Sequence, residues 1–571
     1  MKSFFSFIKE FQIPKKGELQ KSFKQLSKKQ LVVFVISSVL ALISTITILW
    51  KVNSHFTVEV PAKDGKITEG IIGMPTLVNP VLTVSNADKD ITNLIYSGLT
   101  RKSKDGTIIL DLAESYEFSK DKLTYTFKLK KGLTFHDGSK LTAKDVEFTI
   151  DKIKNPFIKS PYINKWENIE VEAEDDLTVI FYLDQIQPSF LENTTIGILP
   201  MKIWKDLNDT EFLLSKLNIE SVGSGPYYIK SVSKNENGTP ESYNLKRFKN
   251  FALGVPYIKY FEIVSYPNEQ ELIEALLSNK IDQAGSLSPK NAEKISKDGH
   301  KIYTAILPRN FGLFYNKNKN GIFEDKAVIK AFNIALNKQR IINDALLGYG
   351  ITIDHPILRT LINTQDESTF SKEKAIEILE EAEWKLDEEN KIRYKDKNPL
   401  SFSISTGDDP ELTAVTKLIK YELETIGARV EIKNYETGTL KQIIRERNYE
   451  GLFFGQVINN EADLYAFWHS SQTEDPGLNI ALYKSSKIDT ILENAQKTLN
   501  FEDKIKKYKE FIQEFKKDTP VILIYAPQYL YATKSNLKNV LFETIIVPSD
   551  RFNSVYNWHI NSDYVWKIFA N

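Results

Sequence analysis

PVILIYAPQYLYATK (residues 520–534) and ILPRNFGLFYN (residues 306–316) are both dense in β-branched, aromatic and leucine side chains. Each has the length and composition of a strand. They stand about 210 residues apart, and no long Gly/Ser or Pro linker divides the chain around them. A body without flexible linkers is crossed by its own chain rather than strung as beads. Two crossings at these runs make everything between them one inserted lobe. Paired crossings of this kind are natural hinges, because a few residues absorb the rotation.

Outward from these runs the pattern is mixed α and β. LTYTFKLKKG (123–132) and LTVIFYL (177–183) alternate or carry β-branched runs between turn residues, and read as strands. DKAVIKAFNIAL (325–336) predicts a helix capped by Asp325, with Val328, Ile329, Phe332, Ile334 and Leu336 supplying a buried face. In NKQRIINDALLG, Asn337 caps a second helix and Gly348 ends it. ELTAVTKLIKYELETIGARVEI predicts a helix stopped at Gly427 and a strand from Arg429 to Ile432, one α/β unit. No segment repeats at a fixed period, which argues against a solenoid.

At 571 residues the chain implies two to four domains. Lys+Arg and Asp+Glu are equal at 75 each, so no global field draws the protein to nucleic acid. There is no cysteine, which excludes disulfides, thiolate metal sites, a cysteine nucleophile and a lipid-modified N-terminal cysteine. Residues 31–50, LVVFVISSVLALISTITILW, carry no charge over 20 positions. As a helix they reach about 30 Å, enough to cross a bilayer. Eight lysines and two glutamates occupy the first 30 residues. The positive-inside tendency keeps residues 1–30 in the cytoplasm as a basic tail and puts everything after Lys51 outside. The competing reading is a cleaved signal peptide, against which stand the long apolar core and the lack of a small-x-small site after Trp50. The cluster Phe4, Phe5, Ile8 and Phe11 suits either a short interfacial helix or a disordered tail.

FHDGSKLTAKDV (135–146) gathers His136, Asp137 and Ser139, the residue types of a hydrolase triad. Neighbouring side chains on a strand point to opposite faces, Asp137-Gly138 is a turn dipeptide, and Thr142 with Asp145 has capping-box spacing. The reading is a turn followed by a helix. No nucleophile elbow, H-E-x-x-H, Walker loop or G-x-G-x-x-G occurs, and histidines 55, 136, 300, 355, 469 and 559 are scattered. The sequence is read as that of a protein with no catalytic residues, no metal site and no cofactor.

TEGIIGMPTLVNPVLTVSNADKDITNLIYSGLT and DLAESYEFSKDKLTYTFKLKKGLTFHDGSKLTAKDVEFTIDKIKNP resemble the opening of the family 5 extracellular solute-binding proteins. GSGPYYI (223–229) is similar to that family's G-T-G-P-Y turn, and ALLSNKIDQAG (275–285) to its G-x-I-D segment. AVIKAFNIALNKQRIINDALLGYG through KAIEILEEAEWK, DLYAFWHSSQ and LNIALYKSSKIDTILENAQ follow in the same order, so the likeness runs from residue 66 to 533.

The resemblance implies an α/β, two-lobed clamshell of the periplasmic-binding-protein kind with an extra third domain. Lobe I takes 58–110 with 223–305 and 534–571; the extra domain takes 111–222; lobe II takes 306–533. It implies a peptide ligand held by strand addition between the lobes, permease subunits of an ABC importer as partners, and a monomer. By position it assigns ligand contacts to Thr83, Val84, Ser85 and Asn86 on a first-lobe strand, and to Gly455, Gln456, Val457 and Asn459 in the large lobe. Trp468 is either a ligand contact or core. This sequence has Asn459 where peptide-binding members have an aspartate for the ligand ammonium, with Glu461 and Asp463 close behind. It also carries a membrane span where members are secreted or lipid-anchored. A surface sensor that kept the fold, or a receptor for a non-peptide solute, stands as the alternative.

Overall fold

The structure, a computed structural model, describes residues 17, 26–187, 189–357, 362, 369–458, 462–498, 500–534 and 536–569. By contacts the chain falls into two units, one running from Lys63 to Ile560 and one joining the residues up to Ala62 with those from Asn561 onward.

The larger unit is organised by the 13-residue strand Val521–Thr533, VILIYAPQYLYAT, which is buried along nearly its whole length. Its first half pairs with Arg309–Tyr315 and Gly350–Thr352, and its second half with Gln283–Gly285 and Lys301–Ile306. One strand thus belongs to two halves of a 12-stranded sheet. On one side of it lie Lys66–Ile72, Tyr260–Tyr266, Pro240–Arg247 and Tyr227–Lys234; on the other lie Gly451–Val457, Ser401–Gly407 and Arg429–Tyr435. Lys66–Ile72 runs parallel to both neighbours, as does Ser401–Gly407, the register expected where helices cross between strands.

Alternation along the long strand separates two cores. Ile522 and Ile524 join Leu313, Phe402 and Phe453 on one face, while Val521 and Leu523 join Phe314, Trp468 and Phe515 on the other. The run ILPRNFGLFYN contains the break between Lys301–Ile306 and Arg309–Tyr315, so each crossing run meets both halves. A separate four-stranded antiparallel sheet is built from Ala113–Phe118, Thr124–Leu129, Thr178–Leu183 and Ile169–Ala173.

The helices follow their caps. Asp325 accepts from the Ala327 N–H at 2.9 Å and starts Lys326–Ala335; Asn337 starts Lys338–Leu346. That helix turns left-handed at Leu347, one residue before Gly348. Pro410–Glu424 precedes Gly427, whose φ of +91° makes the reversal into Arg429–Tyr435.

FHDG is a turn. Asp137 Oδ1 accepts from the Ser139 N–H at 2.9 Å, Gly138 has φ +81°, and Asp145 Oδ2 accepts from the Thr142 N–H at 2.8 Å to open the helix Ala143–Lys154. His136 spans to the glycine segment, accepting from the Gly223 N–H at 3.2 Å and donating through Nε2 to the Gly225 carbonyl at 3.1 Å. Both glycines are needed for close approach, since a Cβ on either would stand 2.2–2.6 Å from the backbone of Ile95. Both motifs hold the fold together.

In the smaller unit, Lys28–Phe56 is one 29-residue helix with none of its residues buried, opened by a Ser27/Gln30 capping box. It contains the expected span 31–50 and continues through Phe56. Thr57–Pro61 then pairs antiparallel with Ser562–Trp566. Residues 58–62 and 561–569, read from sequence as part of the first lobe, therefore group with the apolar helix. Their pairing partner is each other, not the large sheet.

Candidate ligand-binding site

Thr83 to Asn86 do not form a strand. Ser85 caps the helix Asn86–Ile95, its hydroxyl accepting from the Asp88 N–H at 3.0 Å and donating to Asp88 Oδ2 at 2.6 Å. Asp88 Oδ1 in turn accepts from the Thr76 and Leu77 N–H groups at 2.7 and 2.9 Å. A cap therefore replaces the ladder, because the spacing of Ser85 and Asp88 gives the backbone donors a local partner. Thr83 is buried and tied to the Tyr162 hydroxyl, at 2.9 Å through its side chain and 3.1 Å through its carbonyl. Val84 beside it is 66% exposed, and among the described residues its peptide groups make no hydrogen bond.

Gly455, Gln456 and Val457 end the strand Gly451–Val457. One edge of that strand pairs with Arg309–Tyr315 along its whole length. On the other edge, Ser401–Gly407 reaches only Gly451 and Leu452. From Phe454 onward that second edge has no strand partner among the described residues. Gly455 has to be glycine, for a Cβ would lie 2.7 Å from the ring of Phe311, which stacks on Tyr525 at 5.0 Å. Gln456 is buried, and among the described residues neither end of its amide has a partner. A buried amide without partners is costly until something fills its valences.

A cavity of about 570 Å³ opens beside Thr83, and Asp463 also lines it. Three lysines face it: Lys89 on the helix Asn86–Ile95, Lys102 at the end of Thr100–Lys102, and Lys165. None of their ammonium groups makes a hydrogen bond or close ion pair among the described residues. Desolvation holds the Lys165 pKa below the usual lysine range; Glu192 opposes that, Lys102 and Lys89 reinforce it, and Asp463 opposes it. Arg101 also lines the cavity but is already used, donating to Asp111 at 2.8 Å. The cavity thus presents charges of both signs against Tyr162, Tyr96 and Trp166.

The cavity brings together two of the sequence-assigned residues, Thr83 and Asp463. Val84, Ser85 and Asn86 flank Thr83 in sequence without lining it. Gly455, Gln456 and Val457 stand on the open strand edge. Asn459 and Glu461 lie outside the described residues. Trp468 is core, 1% exposed and edge-on to Phe515 at 4.8 Å. Sequence reading missed Lys89, Lys102, Tyr162, Lys165 and Glu192. They come from separate stretches, and no motif marks any of them.

A mixed sheet in two halves joined by one long strand, with a polar cavity and an open edge, defines a solute-binding protein of the periplasmic-binding-protein kind. Residues 107–477 match the bacterial extracellular solute-binding proteins, family 5, and the chain belongs to that family. Members are substrate-binding receptors, not enzymes. The chain is 28% identical over 496 residues to the oligopeptide-binding protein AppA of Bacillus subtilis, covering 84% of this chain and 89% of that protein. The structure of AppA in complex with a nonapeptide superposes with a TM-score of 0.62 at 25% identity, over 88% of this chain and all of that one. NikZ of Campylobacter jejuni, solved with Ni(L-His), superposes with a TM-score of 0.65, also at 25% identity and over 88% of this chain and 100% of that one.

Proposed function

We propose that this protein is a membrane-anchored receptor that captures oligopeptides outside the cytoplasm and delivers them to an ABC importer. The observation that carries the reading is the strand edge from Phe454 to Val457 and the peptide groups of Val84, neither of which has a backbone partner among the described residues. An extended peptide completes such edges with main-chain hydrogen bonds, which give affinity without reading side chains. The cavity supports the same reading, because lysines and carboxylates together suit a zwitterionic chain. In this reading lobe I (63–110, 223–305, 534–560, without the residues at either end that group with the helix) and lobe II (306–533) close on the ligand, with 111–222 as the extra domain. Ligand shifts the open–closed equilibrium, and the importer recognises the closed form. Asp463, or Glu461 near it, takes the ligand ammonium in place of the family's aspartate. The helix Lys28–Phe56 keeps the receptor near its importer and raises its local concentration there.

Native mass spectrometry of the full chain, purified in detergent and then mildly denatured, tests this. A mixture of short peptides released from the protein is the expected result. A single non-peptide solute would overturn the peptide reading and leave a receptor for another cargo.

A further inference from the structure

The smaller unit has an apolar surface that the span alone does not account for. Tyr564, Ile568 and Phe569 are 72%, 73% and 75% exposed, and Trp566 is also exposed. Tyr564 and Trp566 are two residues apart on Ser562–Trp566, so they share one face of the ribbon. The turn Lys567–Phe569 follows directly. These residues are fixed to the outer end of the apolar helix. Trp566 Nε1 donates to Asn53 Oδ1 at 3.2 Å, and its ring stacks on Phe56 at a centroid distance of 6.2 Å. The ribbon register, Thr57 against Trp566 through Pro61 against Ser562, holds that placement.

Length says where this surface lies. Residues 31–50 fill a hydrocarbon core of about 30 Å, and the six residues Lys51–Phe56 add about 9 Å of helix beyond it. That distance puts Phe56 and Trp566 at the depth of the lipid headgroups, where the amphipathic rings of Trp and Tyr concentrate. Lys567 adds a cation that can reach lipid phosphate, while Asp563 falls on the opposite ribbon face. Glu59, opposite Tyr564, is the acidic group on the tail's own face.

We infer that the C-terminal segment 562–569 is a second membrane contact, an interfacial anchor that docks on the outer leaflet beside the span. It rests on the reading of Lys28–Phe56 as a retained span. The chain then meets the bilayer at both ends, through a helix that crosses it and a ribbon that lies on it.

The absence of cysteine makes the test clean, since one introduced cysteine takes one label. The full chain is reconstituted in phosphatidylcholine/phosphatidylglycerol vesicles with an environment-sensitive fluorophore at Ile568→Cys, Leu40→Cys or Glu388→Cys. Quenching is read with doxyl groups at acyl carbon 5 or 12. The expected result is a blue-shifted 568 label quenched severalfold more by the shallow doxyl than by the deep one. The label at 40 should show the reverse, and the label at 388 neither. Adding Trp566→Ser to the 568 variant should lower the shallow quenching at least twofold. A 568 label as aqueous as the one at 388, with 40 still deep, would overturn the tail anchor and leave the span intact. If 40 is aqueous as well, the span reading fails and the inference fails with it.

Discussion

Around Arg551, four guanidinium hydrogen bonds close on protein groups: Glu69 Oε1 at 2.7 Å, Asp90 Oδ1 and Oδ2 at 2.7 and 2.8 Å, and the Pro548 carbonyl at 2.6 Å. Around Lys165, the ammonium groups of Lys89, Lys102 and Lys165 close on nothing within hydrogen-bonding reach among the described residues. The first region is buried and complete; Glu69 Oε2 also accepts from Gln283 at 2.8 Å and Tyr531 at 2.7 Å. The second region lines an open cavity and carries charges of both signs. A buried ion survives only when every valence is met by the protein itself, so it can fasten one element to another and do nothing else. A charge left without a partner beside a cavity keeps its capacity for something that arrives later.

The largest way to break the contrast is to open the closed region. Arg551→Met leaves Glu69 and Asp90 buried without their cation, and removal of one partner from such a site costs about 3–5 kcal/mol. Denaturant unfolding should show that loss as a lowered midpoint with an unchanged slope. A cost under about 1 kcal/mol would mean the carboxyls relax or take up protons without penalty, and the knot would not be what fixes the C-terminal turn Pro548–Asn557 to the sheet.

How much of this was legible in the sequence depends on the range of the interaction. Strands such as Thr178–Leu183, and caps such as Asp325 and Asn337, follow from a few neighbouring residues, and the sequence reading places them within a residue or two. The turn at Asp137-Gly138 is equally local. Ser85 and Asp88 carry a cap signal just as local, yet the resemblance assigned that stretch to a strand; the local hydrogen bond decided the structure. Arg551 was invisible, since Glu69 and Asp90 stand 482 and 461 residues before it. The lysines of the cavity were invisible for the same reason: the fold, not a spacing, brings Lys89, Lys102 and Lys165 to one wall.

His136 sharpens the comparison at a smaller scale, as a closed polar site that can be opened by pH alone. Burial pulls its pKa down to about 4 from 6.5, with the Gly225 carbonyl and Asp137 opposing. Its Nδ1 accepts a backbone N–H, so a proton there would set donor against donor. Between pH 6.5 and 4 the unfolded chain therefore holds the proton and the folded one does not. Stability from this group is complete above 6.5 and is lost as pH falls through that window, by up to about 3 kcal/mol. Unfolding free energies measured from pH 7.5 to 4 should fall more steeply for the native protein than for His136→Gln. Parallel curves would remove His136 from the account.

The smallest effect on stability, and the most telling for function, belongs to the open region. Lys165→Met takes away a charge with no hydrogen-bond partner among the described residues, so its unfolding free energy should move by less than about 0.5 kcal/mol, and Asp463→Asn is its counterpart on the carboxylate side of the cavity. Ligand affinity should respond instead. Loss of one charge-assisted contact is worth about tenfold in Kd, or about 1.4 kcal/mol. The two variants should also fail differently in titration calorimetry. If Asp463 takes the ammonium of a peptide, Asp463→Asn weakens free-amine peptides and leaves their N-acetylated forms unchanged, which levels a preference the native protein shows. Lys165→Met should weaken both forms alike where it meets a carboxylate. A native protein that binds acetylated and free peptides equally would take Asp463 out of the ligand's reach, whatever Lys165 does.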